Sequence, residues 1–135
     1  FDRQVQVIAA LTEGCSIRAT ERLTDIHRDT IMRLGVRVGE GCADLHDRMM
    51  RDLHVPILEF DEIWAYVGKK QRKAPGQPEA GDQYTYVALD ATNKAIVSYM
   101  VGKRNAATTQ DFVDDVWRRI ANRPQITTDG YEPLH

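Results

Sequence analysis

Two aspartates carry the most chemistry in this sequence: Asp61, in Phe60-Asp61-Glu62-Ile63-Trp64, and Asp129, in Ile126-Thr127-Thr128-Asp129-Gly130. Each is set in or ends a short apolar, strand-like run. Two carboxylates delivered from the ends of separate strands suit magnesium-dependent phosphoryl transfer, because a hard cation takes oxygen ligands and bridges the reacting phosphate. An aspartate between Phe60 and Ile63 is costly to bury without a metal or a partner. Asp61 and Asp129 are therefore the candidate catalytic and metal-binding residues. Asp90, in Asp90-Ala91-Thr92-Asn93-Lys94, reads instead as a turn residue. His27, His46, His54 and His135 show no ligand spacing, and Cys15 and Cys42 lack CxxC spacing and read as free, buried thiols.

The elements that must position the two aspartates fall into two groups. Residues 2 to 12 place Val5, Ile8, Ala9 and Leu11 at helical spacing, with Glu13-Gly14 as a stop. Ser16 is a good N-cap for a short second helix, and Thr24-Asp25-Ile26-His27 forms a tight turn before a third. There Ile31, Leu34 and Val38 share a face, leaving Arg28, Asp29, Met32 and Arg33 on the other. The helical pattern continues through Leu45, Met49 and Leu53, although Gly35, Gly39 and Gly41 argue against one unbroken helix. His54-Val55-Pro56 ends it, since proline disfavours a helical residue before it. The expected domains are 1–54 and 55–135.

From Ile57 the period becomes that of strands: Ile57 to Val67, Tyr84 to Leu89 and Ala95 to Val101, the last two joined as a hairpin. Gly68 to Gln83, rich in Lys, Pro and Gly, reads as an exposed, mobile loop. Its Lys69, Lys70, Arg72 and Lys73 are candidates for phosphate contacts, or a solvated loop that protects an edge strand. Thr108 can cap a helix with Phe112, Val113, Val116, Trp117 and Ile120 on one face, and Gln125 to Thr128 forms a fourth strand. Trp64, Tyr66 and Trp117 are assigned to core packing. The order β, β, β, α, β makes an α+β chain: a three-helix helix-turn-helix module, then the opening of a ribonuclease H-like fold. In that fold the first strand is central and the fourth lies beside it, bringing Asp61 and Asp129 together.

Taken together, Ser16 to Val38 as a helix-turn-helix, Asp61-Glu62-Ile63-Trp64-Ala65-Tyr66-Val67-Gly68, the strand Tyr84 to Asp90, and Thr128-Asp129-Gly130 resemble the DDE-type transposases of bacterial insertion sequences. The likeness is strongest to the family founded by insertion sequence one and spans nearly the whole chain. The resemblance implies two aspartates and a glutamate holding Mg2+ or Mn2+, in-line cleavage and strand transfer, and an oligomer that synapses two element ends. Asp61 and Asp129 match the first two positions. The third carboxylate belongs on a later helix: Glu132 follows Asp129 too closely, and strand alternation points Glu62 away from Asp61. The chain starts at Phe1, stops at His135 just after a candidate site, and reads as a catalytically incomplete fragment. The resemblance also implies double-stranded DNA partners, the terminal inverted repeats and the target, with the third helix in the major groove. Arg28 and Arg33 are the candidates for guanine or phosphate contacts, and Asp29 for accepting from cytosine.

A formal net charge of -2 does not by itself signal a nucleic-acid partner. With 28% charged and 42% hydrophobic residues, no apolar run long enough to span a membrane and no secretory leader, the chain is expected in the cytoplasm, nucleoid-associated in a bacterium. Two other functions fit the same residues: a helix-turn-helix transcriptional regulator whose sheet domain senses a ligand or dimerises, and a ribonuclease H-like nuclease that cuts without joining.

Overall fold

The computed structural model describes residues 1–68, 70 and 80–128. It is an α+β chain of two compact units, Phe1–Met49 and Met50–His135. The first unit holds α1 (Asp2–Thr12), α2 (Ile17–Thr24) and α3 (Arg28–Met49). Gly14, at φ 90°, supplies the left-handed residue after α1. The Ser16 side chain accepts a hydrogen bond from the Ala19 amide at 3.0 Å, satisfying one of the free donors that open α2. Asp25, left-handed at φ 56°, ends α2. A Glu21 carboxylate oxygen then accepts from the Arg28 amide at 2.6 Å, so α2 caps the start of α3 and fixes the turn between them. Val7, Thr20 and Ile31 are the buried residues of this unit.

In contrast to the sequence expectation, α3 runs without a break for 22 residues through Gly35, Gly39 and Gly41. Each glycine costs about 1 kcal/mol relative to alanine in a helix, and the helix is held through them by the Glu21 cap at its start and the packing of Ile31. The division into units falls at Met49/Met50, earlier than the expected 54/55, because Leu53 is tied into the second unit. Its amide donates to the Arg119 carbonyl at 2.9 Å, and its carbonyl accepts from the Ala121 amide at 2.7 Å.

The second unit is a mixed sheet of β1 (Ile57–Val67), β2 (Gly81–Asp90), β3 (Ala95–Gly102) and β4 (Gln125–Thr128), with α4 (Ala106–Arg119) between β3 and β4. Strand order is β3-β2-β1-β4, antiparallel from β1 to β3 and parallel between β1 and β4. The expected adjacency of the first and fourth strands is present. β2 is longer than its apolar run indicated, because pairing with the long β1 carries polar positions such as Asp82 and Gln83 into the ladder, and β3 gains Gly102 opposite Tyr84 of β2. Asp90 closes the β2–β3 turn, accepting from the Thr92 and Asn93 amides and the Asn93 side chain. The Asn93 side-chain bond, together with the two amides, holds its carboxyl below the ordinary carboxylate range, against the effect of burial.

Sheet alternation sends Leu58, Phe60, Tyr86 and Ala88 to one face, where Phe112 and Val116 of α4 cover them. Phe112 meets Phe60 edge-on at 5.8 Å between ring centres and lies 5.7 Å from the Tyr86 ring. Helix α4 is capped by Asn105, whose side chain accepts from the Thr108 amide at 2.8 Å, and not by Thr108 as expected. The assignment of Trp64, Tyr66 and Trp117 to the core is also corrected, since all three are exposed, and so is the reading of the cysteines as buried, since Cys15 is half-buried and Cys42 exposed. The far half of β1 runs past the part of the sheet that α4 covers. No helix among the described residues is long and apolar enough to cross a membrane.

Candidate functional site

Asp61 sits at the point where β1 changes its surroundings. Up to Phe60 the strand has β2 on one side and β4 on the other, and the last described parallel pair is Phe60↔Thr128. The residues that follow these two in the sequence are Asp61 and Asp129. Asp129 lies outside the described residues, as do Glu132 and His135. Asp61 pairs with Val87 of β2, and its side chain is exposed on the face opposite α4. One carboxylate oxygen, Oδ1, accepts from the Glu62 amide at 2.8 Å. The second oxygen has no protein donor among the described residues and is open to a solvent-side ligand.

Glu62 points the other way, as strand alternation required. It pairs with Arg104 at 3.0 Å, and its Oε2 is buried without a hydrogen-bond partner among the described residues. The Arg104 guanidinium also lies 5.6 Å from the centre of the Tyr84 ring. Glu62 therefore belongs to the α4 side of the sheet and cannot join Asp61 around one ion. No group of three or more His, Cys, Asp or Glu side chains able to hold a metal occurs among the described residues.

The candidate DNA-contacting residues divide. Arg28 and Asp29 are exposed on the first turn of α3, with the His27 imidazole 3.7 Å from the Asp29 carboxylate. Arg33 lies further along, and with Arg3 and Arg37 it lines a crevice of about 260 Å3 between α1 and α3 whose floor includes Val7, Ile31 and Leu34. Arg3 and Arg37 were not singled out from sequence; their one signal is that Arg33 and Arg37 stand four residues apart on α3, on one side of the helix. Of the loop cations, Lys70 lies 5.8 Å from the centre of the exposed Trp64 ring. Lys69, Arg72 and Lys73 lie outside the described residues.

A scan against protein-family models gives no match for this chain, and a search of curated proteins gives no significant match.

Proposed function

We propose that the chain is the DNA-binding and leading catalytic portion of a DDE-type transposase, with α2 and α3 acting as a helix-turn-helix on double-stranded DNA and the second unit as a ribonuclease H-like domain. The observation that carries this reading is the β1–β4 register. A central strand and its parallel neighbour are paired up to the residues that immediately precede Asp61 and Asp129. A hard divalent cation suits Asp61, whose carboxylate is exposed and retains an oxygen free of protein donors among the described residues. When bound, the ion supplies charge to polarise a phosphate and lowers the pKa of a water molecule or a DNA 3′-hydroxyl. Asp61 and Asp129 hold that ion. In this reading Arg28, Arg33 and the loop lysines neutralise DNA phosphates, while Arg28, Arg33 and Asp29 read base edges. Glu62 is not the third carboxylate, since Arg104 engages it on the other face of the sheet.

The test is a titration of the chain with Mn2+, followed calorimetrically and by electron paramagnetic resonance, for the wild type, Asp61→Asn and Asp129→Asn. Saturable binding that both substitutions abolish is the expected result. If binding is absent, or indifferent to both changes, the aspartates are incidental, and a DNA-binding regulator with a sensing or dimerising sheet domain becomes the better description.

A further inference from the structure

In the first unit an excess of positive charge stands over an apolar hollow. The crevice of about 260 Å3 between α1 and α3 is lined by Arg3, Arg33 and Arg37 and by no acidic residue. Its carbon surface comes from half-buried Ile26 and Leu34, with the fully buried Val7 and Ile31 behind them. Gln4 and Thr30 supply the remaining polar groups, and both are neutral.

The three guanidinium groups are not equivalent. Arg3 reaches from α1 to the last residue of α2, where it donates to the Thr24 carbonyl and meets the negative end of that helix. Arg33 and Arg37 have no hydrogen-bond or ion-pair partner among the described residues. Asp29, four residues before Arg33, is turned to His27 at 3.7 Å instead. Arg33 and Arg37 stand about one turn apart on the same side of α3, and like charges at that spacing weaken a helix unless an anion lies between them. Elsewhere in the chain Arg48 is matched by Asp44, Arg104 by Glu62 and Arg119 by Asp115.

What Arg33 and Arg37 lack is an anion, and the crevice beside them defines its kind. A bare phosphate would engage the two guanidinium groups and leave the hydrocarbon floor wet. A neutral apolar molecule would cover the floor and leave two charges facing it; the neighbouring groove of about 440 Å3, where Val5, Ile8 and Val38 meet and no charged side chain intrudes, suits it better. A carboxylate on a small hydrocarbon body satisfies both features. The planar guanidinium fork binds a carboxylate through two parallel hydrogen bonds, and laying the body on the floor removes apolar surface from water. The space is smaller than the roughly 300 to 1,000 Å3 of pockets for drug-sized molecules, which limits the body to about one or two rings.

We propose that this crevice is a binding site for a small aromatic or branched aliphatic monocarboxylate, its carboxylate held by Arg33 and Arg37 and its body laid on Ile26 and Leu34. The proposal concerns the chain free of DNA and stands apart from the contact proposed for Arg33 on DNA.

The test is a titration of the isotope-labelled chain, without DNA, with 1-naphthoate, followed by amide chemical shifts in nuclear magnetic resonance. 1-Naphthamide serves as the uncharged counterpart and inorganic phosphate as the anion without a body. Saturable shifts centred on the Ile26, Thr30 and Leu34 amides are expected. Arg33→Gln and Arg37→Gln, both at exposed positions, are each expected to weaken naphthoate by about tenfold or more, the loss of a charge-assisted hydrogen bond. Naphthamide and phosphate should bind the wild type more weakly by a similar factor. Arg22→Gln removes the same charge from α2, outside the crevice, and is expected to leave naphthoate binding unchanged. The proposal is overturned by the absence of saturable shifts, or by shifts centred on Val5 and Ile8 in the uncharged groove. Naphthamide or phosphate binding as tightly as naphthoate, or an equal loss in Arg22→Gln, would overturn it as well.

Discussion

The side-chain network at the end of α4 permits a sharp stability prediction. The Asp115 carboxylate accepts from Arg119 Nε at 2.8 Å, from Arg118 at 3.4 Å and from the Ser98 hydroxyl. Arg119, its side chain only 7% exposed, also donates to the Met50 carbonyl at 3.2 Å. Asp115→Ala would leave that guanidinium buried beside an empty site, and breaking one partner of such a pair costs about 3 kcal/mol or somewhat more. For a unit of this size that corresponds to a fall in melting temperature of about 12 °C or more. Trp64 and Trp117 both lie in this unit, so urea unfolding followed by tryptophan fluorescence reports on it, and the midpoint should fall with little change in slope.

The same carboxylate sets a pH dependence. Burial pushes its pKa up, but the hydrogen bonds from Arg119 and Ser98 and the charges of Arg119 and Arg118 outweigh burial and leave it below the ordinary value. A carboxyl that titrates lower folded than unfolded contributes stability in full above its unfolded value, about pH 4, and loses it as pH falls through the folded value. The gap between wild type and Asp115→Asn should therefore be widest near neutrality and close in acid. A midpoint unchanged by Asp115→Ala, or a gap that persists undiminished in acid, would refute the reasoning.

Gly102→Ala tests the seam between β3 and α4: the new Cβ would lie 2.8 Å from Thr108 Cγ2, so a loss of about 1 to 3 kcal/mol is expected in the same unfolding assay, and a neutral result would show that Thr108 yields freely. Arg28→Ala should weaken double-stranded DNA binding, read by fluorescence anisotropy. If Arg28 contacts a phosphate, the slope of affinity against salt should become shallower by about one, whereas unchanged affinity would remove Arg28 from the interface.

The sheet was legible where residue type and burial agree. Ile57 to Val67 is dense in β-branched and aromatic residues, and β1 has those bounds. The same density misled for Trp64 and Tyr66, because nothing local records that α4, only 14 residues long, leaves the far half of β1 uncovered. Asn105 and Thr108 are both competent caps; the helix starts after the earlier one, where the Asn105 side chain reaches the Thr108 amide. The glycines of α3 suggested a break because propensity is summed locally, while the helix is held by capping from Glu21 and by packing of Ile31. Of the site, the opposite orientations of Asp61 and Glu62 followed from alternation alone. The Arg3–Arg33–Arg37 crevice did not, since it depends on how α1 crosses α3.

The parallel pairing of β1 with β4 also carries a kinetic consequence. Strands β1 to β3 form an antiparallel meander of neighbours in sequence, but the segment leading into β1 is clasped to the segment leaving α4 by reciprocal 2.8 Å bonds between Val55 and Asn122, 67 residues apart. Closing so long a loop costs entropy that is repaid only once the meander and α4 already offer a surface to dock on. Strand β4 thus arrives last during refolding, and amide protection at Gln125 and Thr127, whose amides face β1, should lag behind that at Tyr86 and Ala88 in pulsed hydrogen exchange. The strand leading to the second aspartate would then be completed only after the rest of its scaffold has formed.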